Sequence, residues 1–179
     1  MAFTTVQRFA TSELRRQVAQ LLSLPEGDVR QAWGAGETGD RPFVVLNMSN
    51  SVPQGPARAD FDGANELERV TSSTLDTWTF EAYGTDAYPF ARKAAAVLQS
   101  TQGQALFRRL RAGLVSVGEA LDLTGLAGAP EERARFQITV SVNESYQVGL
   151  EAIRRANIDV HYEPHGIEHI QIEPPDESA

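Results

Sequence analysis

Apolar residues recur along this chain with two different periods, and the places where the period changes mark its elements. Leu14, Val18, Leu21 and Leu22 follow i, i+4, i+7, i+8 spacing, with Thr11 or Ser12 placed to cap and Pro25 to stop, so the spacing predicts a first helix. Val29–Trp33 reads as a short strand, and Phe43–Met48 as a nearly continuous apolar run, the pattern of a strand covered on both faces. Val70–Tyr83, rich in threonine and aromatics, reads as one strand or two. A pair of helices follows. Asp86 is placed to cap the first, with Pro89 in its opening turn and Phe90, Ala94, Val97 and Leu98 along one face. Thr101 is placed to cap the second, with Leu106, Phe107 and Leu110 inward and Gly113 at its end.

Beyond Leu114–Val117 and Pro130, the clearest alternation in the chain runs from Arg133 to Val142. Phe136, Ile138, Val140 and Val142 take one face, and Arg135, Gln137, Thr139 and Ser141 the other. Ile158, Val160 and Tyr162 alternate likewise, and Ile170 and Ile172 complete the strands. The order α-β-β-β-α-α-β-β-β does not alternate regularly. It predicts an α+β fold, a mainly antiparallel mixed sheet with helices packed on one face, in a single domain over residues 1–173. Residues 49–68 combine two prolines, two glycines and four acidic side chains with few apolar residues, so they read as a long, mobile surface loop. Residues 174–179 read as a flexible acidic tail.

Composition narrows the function classes. Hydrophobic residues make up 41% of the 179, enough for a folded core of ordinary size. No apolar run approaches the ~20 residues of a membrane-spanning helix. The opening MAFTTVQRFATSELRRQ holds no apolar stretch of the secretory kind, so an intracellular product is expected. The absence of cysteine excludes disulfides, thiolate metal sites and a cysteine nucleophile. The net charge of −8 is concentrated in residues 51–100 and 151–179. The basic residues are fifteen arginines and one lysine, scattered singly or in pairs. Such an arrangement does not grip a phosphate backbone, because that takes clustered cations.

Each fragment of a catalytic or binding motif is incomplete. Gly34-Ala35-Gly36-Glu37-Thr38-Gly39 spells G-x-G-x-x-G, but Asp40-Arg41-Pro42 and a strand follow it. A dinucleotide site needs a helix N-terminus at that point, so the segment reads as a hairpin connection. His161, His165 and His169, with Glu163 and Glu168 between them, have metal-site spacing only on a helix, which Pro164 and Gly166 interrupt. Surface histidines on a hairpin are the expected reading. Ser116, within Gly113–Gly118, misses the nucleophile-elbow spacing by one residue. Asp60-Phe61-Asp62-Gly63 resembles part of a calcium loop without its remaining ligands. Glu131 and Glu132 are adjacent and point apart at the start of a strand. No nucleophile, base and orienting group come together, so neither catalysis nor a cofactor or metal is expected. Phe61 stands out as an aromatic alone in an acidic loop, and with Asp60 and Asp62 it is the candidate partner contact.

The order of packing residues resembles the phage neck or tail terminator family. The helical segment Asp86–Ala94 leads to Leu98-Gln99-Ser100-Thr101-Gln102-Gly103, then Leu114–Val117, Asp122-Leu123 and Glu132-Arg133-Ala134-Arg135-Phe136-Gln137-Ile138, and ends in Ile167-Glu168-His169-Ile170-Gln171-Ile172. The likeness covers roughly residues 70–173, with weaker agreement at Val29–Trp33 and Pro42–Met48. It implies a structural virion protein, not an enzyme, that is found in the tail or neck and in the host cytoplasm during assembly. It implies a ring of six copies that caps the tail tube, with the tube protein, a sheath and a head-side connector as partners and DNA passing without specific binding. Rival readings are a monomeric tail assembly adaptor or chaperone, and a small metal-dependent hydrolase using the histidines.

Overall fold

A computed structural model describes residues 3–31, 42–125 and 132–149 with their side chains, and the backbone of residues 156–162 and 166–172. In chain order the elements are β1 (Phe3–Gln7), α1 (Thr11–Leu22), a 3-10 turn (Glu26–Asp28), β2 (Val29–Gln31), β3 (Phe43–Pro53), β4 (Arg58–Asp62), β5 (Leu67–Tyr83), α2 (Ala87–Gln99), α3 (Thr101–Arg109), β6 (Ala112–Val117), β7 (Leu121–Asp122), β8 (Arg133–Gly149), β9 (Ala156–Tyr162) and β10 (Gly166–Ile172). The class is α+β, as expected.

The spine of the sheet is one long antiparallel pair. β5 and β8 have 17 residues each and pair without interruption from Leu67–Gly149 to Tyr83–Arg133. The outer edge of β8 is tiled by three short strands, β7, β6 and β1, all antiparallel to it. The outer edge of β5 is tiled by β3 and then β4, and β2 adds to β3 in parallel. β9 and β10 form a separate antiparallel hairpin.

Alternation decides which side of the spine is core. Trp78, Phe80 and Ala82 of β5 share a face with Ala134, Phe136, Ile138 and Val140 of β8, and all are buried. Leu14 and Val18 of α1, Ala91, Ala94 and Leu98 of α2, and Leu106 and Phe107 of α3 join the same cluster. Fully burying a side chain of this size contributes about 1.5–3 kcal/mol relative to leaving it in water, so this layer holds the domain together. Phe80 and Phe136 stack across the spine with ring centroids 4.8 Å apart.

The helix faces follow the spacing, but two caps do not. α1 starts at Thr11, one residue earlier than a Thr11 cap and two earlier than a Ser12 cap requires, with Ala10 at its N-cap and no side-chain cap bond. At α3 the cap is Ser100, whose Oγ accepts from the Gly103 N–H at 3.3 Å and donates to the Val97 carbonyl at 2.6 Å. Ser100 thus closes α2 and opens α3, which displaces Thr101 into the helix. Asp86 does sit at the N-cap of α2, but at φ 62° and with no side-chain cap bond. The Glu132 carboxylate, 45 residues away, accepts the Ala87 N–H at 3.3 Å instead.

Two expectations are corrected here. Residues 49–68 are not a loop. β3 continues to Pro53, β4 occupies Arg58–Asp62, and β5 begins at Leu67. β3 and β4 run in the same direction along β5, so residues 43–83 make one long hairpin. Its register slips once between Met48 and Asn50, and again across residues 54–57, where the Gln54 N–H donates to the Ser73 carbonyl. The segment is poor in apolar residues because both of its faces are exposed, and strand patterning records burial rather than pairing. The second correction concerns residues 34–39. They lie outside the described residues, but the strands on either side, β2 and β3, pair in parallel, whereas a hairpin joins antiparallel strands. The tail 174–179 also lies outside the described residues.

Candidate functional site

The helices cover only half of the sheet. Burial ends at Leu46 on β3 and at Val142 on β8, and begins at Asp76 on β5. Beyond those residues β1, β8, β5 and β4 continue as a four-stranded arm. Its rows can be read from the pairing. Phe3, Val148, Glu68 and Phe61 form one row, then Thr4, Gln147, Arg69 and Asp60, then Thr5, Tyr146, Val70 and Ala59, then Gln7, Ser145, Thr71 and Arg58. Residues side by side in a row point to the same face. The face continuous with the core therefore carries Phe3, Phe61, Val70, Tyr146 and Val148, and the other face carries Thr4, Gln147, Arg69, Asp60 and Arg58.

The three candidate contact residues fall at the tip of this arm. Phe61 is 54% exposed at one edge, and Phe3, 71% exposed, holds the same row at the opposite edge. Phe3 leans edge-on against Tyr146, with centroids 6.5 Å apart. Asp60 Oδ1 receives Nη2 of Arg58 at 2.9 Å, an exposed pair of the kind that contributes about 0–1 kcal/mol. Asp62 closes the β4–β5 turn. Its carboxylate accepts the Ala64 and Asn65 N–H groups at 3.1 and 3.3 Å and Asn65 Nδ2 at 2.7 Å. These bonds, that from the Asn65 side chain foremost, hold it below the usual carboxylate range. Both carboxylates are thus engaged within the hairpin, Asp60 in an ion pair along β4 and Asp62 in an Asx-type turn.

At the root of the arm two acids serve structure. Asp76 is buried and accepts Ser51 Oγ from the neighbouring strand at 2.6 Å. Glu144 accepts the Phe9 N–H at 3.3 Å and Tyr146 Oη at 2.6 Å, tying the β1–α1 connection to β8. That hydrogen bond raises the Tyr146 phenol, with burial and the carboxylate charge adding to it. The helix-free face of the spine is lined by hydroxyls and amides, among them Thr77, Thr79, Gln137, Thr139, Ser141 and Asn143. Gln137 Nε2 donates to Thr79 Oγ1 at 3.3 Å, and Arg133 pairs with Glu81 at 2.8 Å.

The remaining motif fragments are dispersed. Ser116 and Val115 are both exposed, because β6 slips register against β8 between Leu114 and Ser116. Glu132 caps α2, and Glu131 lies outside the described residues. In the β9–β10 register His161 is opposite Ile167 and His169 is opposite Asp159, while His165 lies outside the described residues. Among the described residues no group of three His, Asp or Glu could hold a metal, and no helix is long and apolar enough to cross a membrane. Replacing His161, His165 and His169 together by glutamine is expected to leave assembly competence intact. Loss of assembly together with stoichiometric zinc in the parent protein would contradict this.

Sequence reading missed Phe3 altogether. Its signal was an aromatic in a short FTTVQ run whose two apolar residues, Phe3 and Val6, do not alternate as a strand's would. Comparison with known families now adds identity to this geometry. The family model described as phage neck terminator protein matches residues 12–166, which include α1 but for its first residue, both other helices and the strands from β2 to β9. No curated protein matches the chain. The chain belongs to the phage neck terminator protein family, and so is a structural protein of the phage neck and tail that works against other head and tail proteins.

Proposed function

We propose, from membership in that family, that six copies of the chain form a ring that caps the last ring of the tail tube, stops its growth and offers the surface to which the head-side connector joins. The match over residues 12–166 carries this reading. A sheath, where the tail has one, would end at the same ring. DNA passes through the bore without being gripped. The hydroxyls and amides along the helix-free face of the sheet suit such a passage, and two of its arginines are neutralised by neighbours, Arg133 by Glu81 and Arg58 by Asp60. Since helices occupy the other face, closing the sheet round an axis with the helices outward turns this face to the bore. Acidic groups there would act on DNA only within about 8 Å at physiological salt.

The mass of the full chain, in solution and on purified tails, tests the reading. Six chains per particle is the expected result, and a single chain at every concentration and on every tail would overturn it in favour of a monomeric adaptor. A deletion of residues 54–64 removes β4 and is expected to damage the fold as well as the assembly. Pro53 lies opposite Thr74, and residues 65 and 66 alone cannot span the seven residues back to Leu67 without stripping the tip of β5 from β8. Ring formation or docking should weaken strongly. Thermal melts and sizing of this variant measure the two effects.

A further inference from the structure

The arm has two unpaired edges, and they match each other. β1 hydrogen-bonds only to β8, and β4 only to β5, so among the described residues neither outer edge meets another strand. Each is five residues long. The shared rows place them at the same height, Phe3 level with Phe61, Thr4 with Asp60, Thr5 with Ala59 and Gln7 with Arg58. Because β1–β8, β8–β5 and β5–β4 are each antiparallel, β1 and β4 of one copy run in opposite directions. Arms set side by side in one orientation therefore bring β1 of one copy against β4 of the next as an antiparallel pair with no shift in height.

We propose that neighbouring copies join in this way, with β1 pairing to β4 of the next copy and Phe3 packing on Phe61 of that copy. The inference rests on the ring reading and names the contact that builds the ring. Three observations carry it. Exposed sheet edges in proteins that stay monomeric are blunted with charged side chains, lysine above all, with proline or with bulges. β1 carries no charge or proline. On β4 the charges Arg58, Asp60 and Asp62 all lie on the helix-free face, where Arg58 and Asp60 pair with each other and leave the Phe61 face uncharged along the edge. Phe3 and Phe61 are both large, exposed and on the same face of the same row, so edge pairing places each against the other as a cross-strand aromatic pair. The row partners are also compatible in charge, since Thr4 would face Asp60 and Gln7 would face Arg58, with no like charges opposed. A contact between two different edges is head-to-tail, and where its rotation divides the full turn it closes into a ring and leaves no edge open. Pairing β1 with β1 instead would stop at a dimer and leave both β4 edges bare.

The absence of cysteine makes a clean test, because introduced thiols are the only ones present. Two row-matched variants are made in the full chain, Thr5→Cys with Ala59→Cys, and Thr4→Cys with Asp60→Cys. A mismatched control, Thr4→Cys with Ala59→Cys, puts the thiols on opposite faces. Antiparallel rows alternate between narrow and wide spacing, so one of the matched pairs offers the closer approach. Within one copy the two edges are about 14 Å apart across β8 and β5, which excludes an internal disulfide. Mild oxidation of the assembled protein should give a covalent ladder ending at the ring for a matched pair and none for the control. Phe3→Ala and Phe61→Ala should each raise the concentration for half-assembly about tenfold or more while leaving the melting transition in place. A ring of unchanged mass with no ladder from either matched pair, or with equal ladders from all three variants, overturns edge pairing and leaves the ring standing. A chain that stays monomeric in solution and on tails overturns the ring, and edge pairing with it.

Discussion

Phe136→Ala is expected to cost about 3–5 kcal/mol of stability, the range for emptying a phenylalanine site in a packed core. The ring is 3% exposed, stacks on Phe80 of the neighbouring strand, and belongs to the core between the sheet and the helix layer. The cavity would open on strands β5 and β8, whose pairing is uninterrupted, so the backbone has little freedom to close it. Its neighbour Gln137 supplies the contrast. It faces the helix-free side and makes one side-chain hydrogen bond, to Thr79, so Gln137→Ala should stay within about 0.5 kcal/mol. For a chain of this size each kcal/mol moves Tm by about 2–4 °C, so thermal melts separate the two variants easily. Equal losses from both would mean that the helix layer does not sit on the face assigned to it.

The contrast between Phe136 and Phe61 also explains what was legible in the sequence. Phe136, Ile138, Val140 and Val142 announced their strand because one of its faces is buried, and burial is what writes a two-residue period. Arg58–Asp62 is no less a strand, yet both of its faces meet water, and nothing in its composition distinguishes it from a loop. Its conformation comes from pairing with Leu67–Thr71, a relation between segments that local patterning does not record. The same holds for Phe3–Gln7, which pairs with residues more than 130 positions away. Phe61 was visible as an isolated aromatic. That it shares a row with Phe3 depends on three successive registers across the arm, and only the structure supplies those. Non-locality hid the α2 cap as well, since Asp86 is the local choice and Glu132 the one that bonds.

Gly103→Ala should be nearly as damaging, although helix propensity argues the reverse. Gly103 lies in the first turn of α3, and alanine there would by propensity alone gain about 1 kcal/mol. Ser100 is the single residue between α2 and α3, so the two helices meet at a corner with no slack. A Cβ on Gly103 would fall 2.1 Å from the Leu98 carbonyl oxygen, 2.5 Å from its carbonyl carbon and 2.7 Å from its Cα. All three are backbone atoms of the last turn of α2, and no side-chain rotation relieves the overlap. The corner must open, which pulls on the Gly103 N–H bond to Ser100 Oγ and on the buried side chains of Leu98, Leu106 and Phe107. Overpacking of this kind costs about 1–3 kcal/mol where neighbours can adjust, and the upper end or more is expected where the neighbour is backbone. Gly27→Ala is the matched control, because nothing lies within 4 Å of a Cβ built there. It should be neutral or stabilise by up to about 1 kcal/mol. A Gly103→Ala protein melting at or above the parent would show that α2 and α3 do not turn this corner, and that Leu106 and Phe107 reach the core by another path.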